Sequence, residues 1–184
     1  QCDYLLLLDA DMELRVFGTL PTLTASAYYV TQISGLTYRN IRFIQRNLPA
    51  KCVGSTHEYY DMPPGSVVEA LDADIVVILD RGDGGCKANK FERDRRLLQE
   101  ELQRDPENPR TVFYLAQTYF DMRRYDEAIP LYQKRIELGG WKQEMFYSAL
   151  KITMAYIALN DLGQARMWTE RANDMEKRAE PSYY

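Results

Sequence analysis

Two aspartates near the start of the chain have the spacing of a divalent-metal site. Asp9 and Asp11 follow the continuous apolar run at 4–8, which predicts a strand buried on both faces. The two carboxylates therefore leave the carboxyl end of that strand, where ligands bind in open α/β sheets. Carboxylates are hard oxygen donors that suit Mg²⁺ or Mn²⁺, and such sites commonly share the ion with substrate phosphates. The pattern predicts a metal site at Asp9 and Asp11.

The same four residues, Leu-Asp-Ala-Asp, recur at 71–74 in a different setting. Here the apolar run at 75–79 comes after the aspartates, so Asp72 and Asp74 stand where a predicted buried strand begins. We expect them to close a turn, with one carboxylate capping a free backbone N–H. The second copy is therefore not expected to bind a metal.

Glycines and basic residues follow this second strand and offer a place for phosphate oxygens. Gly84 and the glycines beside it permit a ligand to approach the backbone closely. Lys87, Lys90 and Arg93 supply cations within the next nine residues. A plain flexible connection followed by helix-surface cations explains these residues equally well, so both interpretations stay open.

The elements that must position these residues change in character near residue 88. Residues 1–88 contain short β-rich runs separated by Gly and Pro, which predicts an α/β sheet domain. From residue 89 onward the apolar period is helical, with a linking helix that Pro106 stops. Two segments at about 110–143 and 146–179 then resemble the tetratricopeptide repeat, in which paired antiparallel helices cross at a small residue.

Composition and charge exclude several classes of protein. The chain has 184 residues, of which 46% are apolar and 27% charged, as is typical of a globular protein. Its net charge of −4 argues against a nucleic-acid partner. The longest apolar runs are too short for a transmembrane segment. Three widely spaced cysteines favour a reducing compartment, so we expect a cytoplasmic protein.

The strand "YLLLLDADMEL" resembles the Asp-x-Asp strand of GT-A fold glycosyltransferases, especially family 2-like enzymes. "TYRNIRFIQRNL" and "KCVGSTHEYYDMP" resemble the acceptor-side segment of these enzymes, and "GDGGCKANKFERD" resembles their join into tetratricopeptide repeats. The resemblance implies a partial GT-A, Rossmann-like sheet followed by an all-α repeat region. Because such domains begin well before this motif, either the chain is a fragment that lacks the nucleotide-binding half or that half comes from elsewhere. In both cases we expect the isolated chain to bind a sugar nucleotide poorly and to be incomplete as an enzyme.

The resemblance also implies an activity, the metal-dependent, inverting transfer of a hexose. The donor would be a UDP- or GDP-linked nucleotide-sugar, and the acceptor a protein, peptide or glycan. Asp9 and Asp11 would hold Mn²⁺ or Mg²⁺ on the donor phosphates, and Glu58 would deprotonate the acceptor hydroxyl. His57 would be a metal ligand or would orient Glu58. Apart from the resemblance, these two residues also suit a structural histidine and a surface glutamate.

Two other functions fit the same residues. The chain can be a non-catalytic tetratricopeptide-repeat module on a degenerate transferase scaffold, which binds a protein partner through its concave helices. Tyr119, Gln117 and Arg124 would then be functional residues. A nucleotidyltransferase would use Asp9 and Asp11 and would release pyrophosphate.

Overall fold

A computed structural model describes residues 2–34, 36–82 and 89–178. These residues form two compact units. The first consists of the described residues up to Gly54 and from Glu58 to Gly82, and it contains the strands. The second joins Ser55–His57 to the helices that follow Asn89. The predicted order of a sheet region followed by a helical region is confirmed.

The strands of the first unit are short and form two sheets. In the larger sheet the strand order is β1-β4-β3-β8-β2, with β7 beside β3, while β5 and β6 form a separate pair. The strands are β1 (Tyr4–Leu6), β2 (Met12–Val16), β3 (Ala27–Ser34), β4 (Leu36–Gln45), β5 (Lys51–Val53), β6 (Tyr59–Asp61), β7 (Val68–Ala70) and β8 (Val76–Asp80).

The pairing of these strands is mostly antiparallel. β4 runs antiparallel to β1 and β3, and β2 runs antiparallel to β8. Only β7 and β8 run parallel to β3 among the described strands. A register shift between Tyr28 and Tyr29 interrupts the β3–β4 ladder, and such bulges bend a strand and increase its twist. The result is a curled, mixed sheet, and a Rossmann-like GT-A sheet is not confirmed.

Short connections explain the difference from the predicted sheet. Parallel strands need a crossover of a dozen or more residues, usually a helix, whereas antiparallel strands need only a tight turn. Within residues 2–34 and 36–82 the connections contain no helix. The sequence between the strands is therefore better suited to antiparallel neighbours than to a doubly wound sheet.

The two apolar runs predicted as buried strands differ in their surroundings. β8 is a central strand with Val76 and Ile78 fully buried, as predicted. β1 lies at the sheet edge, and Leu5 and Leu6 are exposed. The prediction of a buried strand before Asp9 is therefore wrong, because an apolar run does not determine whether a strand has one neighbour or two.

The second unit contains the five described helices. Asn108 caps the second of them by accepting from the Thr111 backbone N–H at 3.1 Å, and Pro109 occupies its first position, where no intrahelical donor is needed. No described helix is long and apolar enough to cross a bilayer. The helices are α1 (Lys90–Arg104), α2 (Pro109–Asp121), α3 (Tyr125–Glu137), α4 (Lys142–Ala158) and α5 (Leu162–Arg178).

The hairpins α2–α3 and α4–α5 repeat each other at a spacing of 37 residues. Arg123 and Asn160 both have a left-handed backbone, with φ of 59° and 60°. In each hairpin the following backbone N–H donates to the carbonyl five residues earlier, of Tyr119 or Tyr156, at 2.9 Å. This is a helix ending with a left-handed cap. The two turns therefore have the same geometry although their sequences differ.

A buried ion pair connects α3 to the first turn of α4. Arg135 Nε donates to Glu144 Oε2 at 2.8 Å, and Arg135 Nη1 donates to the Gly139 carbonyl at 2.7 Å. The two side chains are only 2% and 10% exposed. A buried guanidinium needs such partners because removal from water strongly disfavours an unpaired charge.

We expect Glu144→Gln to lower the free energy of unfolding by about 3 kcal/mol, because it leaves the buried Arg135 guanidinium without a counter-charge. Urea unfolding followed by far-UV circular dichroism measures this loss. Glu170→Gln is the matched control, since the Arg166–Glu170 pair is exposed and its removal costs less than about 1 kcal/mol. Equal losses in the two variants would contradict the role given to the buried pair.

Candidate peptide-binding surface

The structure places Asp9 and Asp11 directly before β2. The Asp9 carbonyl accepts from the Met12 backbone N–H at 3.0 Å, which begins β2. The exposed Asp9 carboxylate lies 3.7 Å from the Arg42 guanidinium, a cation that disfavours a bound metal ion nearby. Among the described residues no group of three or more His, Cys, Asp or Glu side chains can hold an ion. The predicted metal-binding motif is corrected accordingly.

The second Leu-Asp-Ala-Asp has the predicted role. Asp72 Oδ1 accepts from the Asp74 backbone N–H at 2.9 Å, and the Asp72 carbonyl accepts from Ile75 at 3.0 Å. This turn leads directly into β8. The expectation of a capping carboxylate at 71–74 is confirmed.

Two of the cations predicted to meet phosphates, Lys90 and Arg93, lie on α1. Lys90 is exposed at the first position of α1, and Arg93 lies on the same helix, where it donates to the Asp94 carboxylate at 3.0 Å. Both are helix-surface cations, which was the alternative interpretation. Lys87 and Gly84 lie outside the described residues.

His57 and Glu58, the two predicted catalytic residues, belong to different compact units, and their catalytic roles stay predictions. Glu58 is exposed and belongs to the first unit, whereas the His57 imidazole stacks on the Tyr114 ring in the second. The ring centroids are 4.0 Å apart and the planes are 9° from parallel. His57 therefore has an aromatic neighbour from α2.

Three side chains of α1 and α2 hold the segment Ser55–His57. Glu101 Oε2 accepts from the Ser55 hydroxyl at 2.6 Å and from its backbone N–H at 3.3 Å. Arg110 Nη2 donates to the His57 carbonyl at 2.6 Å, and its guanidinium carbon lies 4.9 Å from the Tyr114 ring centroid. A carboxylate, a guanidinium and a phenol thus recognise both the backbone and the side chains of this segment.

Tyr114 keeps its proton at neutral pH. Burial raises the pKa of its phenol above the usual value, and the nearby positive charge of Arg110 offsets part of that rise. The ring therefore presents a neutral, electron-rich face to the imidazole and to the guanidinium.

α4 exposes a row of apolar side chains. Tyr147, Leu150, Met154 and Ile157 are 43%, 36%, 55% and 55% exposed. Their spacing of three, four and three residues puts them on one side of the helix. The opposite side is buried in the core of the second unit, with Ala149 and Ile152 among its members.

This row continues onto α2. Phe113 of α2 lies 6.0 Å from Tyr147, measured between ring centroids. Lys151 Nζ lies 4.3 Å from the ring centroid of Phe120, also on α2, and 5.2 Å from that of Tyr147. We call this surface the α2–α4 face and define it by Arg110, Tyr114, Tyr147, Leu150, Lys151, Met154 and Ile157.

The residues predicted for a binding role on the repeats make contacts within the helical unit. Tyr119 is buried and its hydroxyl accepts from Gln99 at 2.8 Å. Gln117 accepts from Tyr132 at 3.0 Å, and Arg124 covers the Tyr119 ring at 4.8 Å. The exposed row on α4 was missed, although "MFYSALKITMAYIA" is apolar on nearly all sides, which indicates a helix with more than one apolar surface.

Comparisons with known proteins give matches only among solved structures. No family model and no curated protein matches the chain. The N-terminal domain of stress-induced protein-1 (STI-1) from C. elegans is 21% identical, with 54% of this chain and 80% of that chain covered and a TM-score of 0.47. MamA from AMB-1 is 20% identical, with 52% of this chain and 50% of that chain covered and a TM-score of 0.44. MamA from MSR-1 is 17% identical, with 50% of this chain and 71% of that chain covered and a TM-score of 0.27.

The predicted glycosyltransferase family, its inverting transfer reaction and the assignment as an enzyme are wrong. None of the matches gives evidence of a glycosyltransferase. The curled, largely antiparallel sheet and the guanidinium beside Asp9 agree with this correction. Support for a nucleotide-sugar donor is lost with the family. Binding of Mn²⁺ or Mg²⁺ as such is tested by none of these observations and stays a prediction.

The contact between His57 and Tyr114 can be measured by a double-mutant cycle. We expect His57→Ala and Tyr114→Leu to be coupled by about 0.5–1.5 kcal/mol in the free energy of unfolding, because each removes the same stacked pair. Urea unfolding of the wild type, both single variants and the double variant gives the coupling. His57→Ala combined with Leu162→Ala is the control and should be additive within about 0.5 kcal/mol. Additivity of the His57 and Tyr114 changes would contradict the stacked contact.

Proposed function

We propose that the chain is a non-catalytic, tetratricopeptide-like module that binds a segment of a partner protein on the α2–α4 face. The single observation that carries the proposal is the exposed row Tyr147, Leu150, Met154 and Ile157. Single exposed apolar residues are ordinary on protein surfaces, whereas a contiguous apolar patch bordered by polar groups is typical of an interaction site.

The apolar row supplies affinity. Burial of a large apolar side chain contributes about 1.5–3 kcal/mol when it leaves water completely. Met154 and Ile157 are each 55% exposed, so a partner can still cover much of their surface. Tyr147 adds a ring that is apolar on its face and polar at its hydroxyl, a combination enriched at interfaces.

The charges on this face indicate the chemistry of the partner. Arg110 and Lys151 are cations on the α2–α4 face of a chain whose net charge is −4. The Lys151 ammonium lies over aromatic rings and is already positioned among apolar groups. A partner segment with apolar side chains and interspersed carboxylates is complementary to this arrangement.

Two cysteines favour a reducing compartment for this module. Cys2 and Cys52 are exposed and unpaired. Exposed thiols persist where the thiol pool is reduced, as in the cytosol. We place the interaction there.

The proposal predicts that peptides selected from a random displayed library on the full chain depend on Met154. We expect Met154→Asp to weaken their binding at least about tenfold, because it places a charge in an apolar contact. Fluorescence polarisation with the selected peptides measures the affinity, and circular dichroism checks the fold of each variant.

Met167→Asp is the matched control. Met167 lies on α5 and is also exposed, so the same chemical change is made outside the α2–α4 face. Its effect on affinity should be less than about twofold. The proposal fails if no peptide is selected above background, or if the selected peptides bind the Met154→Asp variant as well as the wild type.

A further inference from the structure

The contacts of Ser55–His57 have the character of peptide recognition. Arg110 binds the carbonyl of His57, a group that every residue offers. Glu101 accepts from the Ser55 hydroxyl and from its backbone N–H. Two main-chain contacts thus support affinity without selecting a sequence, and the contact to the Ser55 hydroxyl selects the residue type.

These contacts specify a short chemical pattern. The Glu101 carboxylate requires a hydroxyl donor next to a backbone N–H, which Ser or Thr provides. The Tyr114 ring stacks on the side chain two residues after the serine, and its face accepts an imidazole or any aromatic side chain. The site therefore suits the sequence Ser or Thr, any residue, then His or an aromatic residue.

The internal segment fits this site imperfectly. The Thr56 hydroxyl is buried and has no hydrogen-bond partner among the described protein groups. His57 has a φ of 52°, in the left-handed region that residues with a side chain rarely adopt. Both features disfavour the docked state, in which Ser55–His57 occupies this site. A separate peptide avoids the first feature by a glycine in place of Thr56. It avoids the second because its ends are not fixed by the rest of the chain.

We propose that Glu101, Arg110 and Tyr114 form a subsite for such a segment of the partner protein, and that Ser55–His57 occupies it in cis until the partner displaces it. The inference rests on the proposed function of the α2–α4 face, of which Arg110 and Tyr114 are members. Lys151 is the counterpart of Tyr114 one repeat later, so the subsite and the apolar row lie on equivalent sides of α2 and α4. The partner then makes polar contacts on α2 and apolar contacts on α4.

The test uses the full chain and a fluorescent pentapeptide, Gly-Ser-Gly-Phe-Glu with blocked ends. Ser55→Ala/His57→Ala removes the hydroxyl and the ring of the internal segment. We expect this variant to bind the probe at least about tenfold more tightly than the wild type. This is the gain expected if the internal segment occupies the subsite in roughly nine-tenths of the wild-type molecules. Arg110→Ala/Tyr114→Ala added to that variant should abolish binding. The peptide Gly-Ala-Gly-Ala-Glu is the negative control.

Hydrogen exchange of the wild type gives a second measurement that needs no folded variant. Saturating probe should speed exchange of the Ser55 amide, which donates to Glu101 when the segment is docked. Equal probe affinity for the wild type and for Ser55→Ala/His57→Ala would overturn the inference, as would binding that does not depend on Arg110 and Tyr114. Probe binding without faster exchange would overturn the displacement.

Failure here is distinguishable from failure of the proposed function. The pentapeptide is too short to need the apolar row, and Met167→Asp, which lies outside the α2–α4 face, should leave its affinity unchanged. If library-selected peptides depend on Met154 while the pentapeptide binds no variant, the α2–α4 face stands and the subsite fails. If the pentapeptide binding depends on Arg110 and Tyr114 while no selected peptide depends on Met154, the subsite stands and the apolar row fails.

Discussion

Close packing at alanine positions determines the geometry of the helical unit. Ala116, Ala128, Ala149 and Ala155 are fully buried in its core. Small residues at a contact let helix axes approach closely, and larger neighbours such as Tyr132 then fill the space around them. Because one side of α4 packs in this core through its alanines, the side that carries Met154 is exposed. The candidate binding surface is thus a consequence of where the small residues stand.

Local sequence predicted the helices better than the sheet. The cap at Asn108 and the proline after it depend on neighbouring residues, as does the helical period, so one stretch of sequence contains the information. Burial of a strand depends instead on which strands lie beside it. The apolar runs of β1 and β8 look alike, yet β1 is an edge strand and β8 a central one. Sheet order depends on pairings between residues far apart in the chain, which periodicity does not contain.

The candidate site shows the same difference between local and long-range information. His57 was identified from its sequence context, but its partners Arg110 and Tyr114 are more than fifty residues away, and neither was singled out. Its predicted catalytic role was implied by the family resemblance and by the neighbouring Glu58, and that role stays a prediction. By contrast, the exposed row on α4 was present in the sequence as an excess of apolar residues. To recognise this row from the sequence, one needed only to identify which side of α4 is buried.

The two hairpins share a turn geometry but offer a partner different chemistry. On α2 the positions facing the segment Ser55–His57 are polar or aromatic, namely Arg110 and Tyr114. At the equivalent positions of α4, Tyr147 and Lys151 stand beside exposed aliphatic residues. A repeat pair of identical surfaces would let a ligand bind equally well one repeat further along, because both repeats would present the same groups. Here the guanidinium on one repeat and the apolar row on the other distinguish the two registers. Divergence between repeats of common geometry thus fixes the register of a bound ligand.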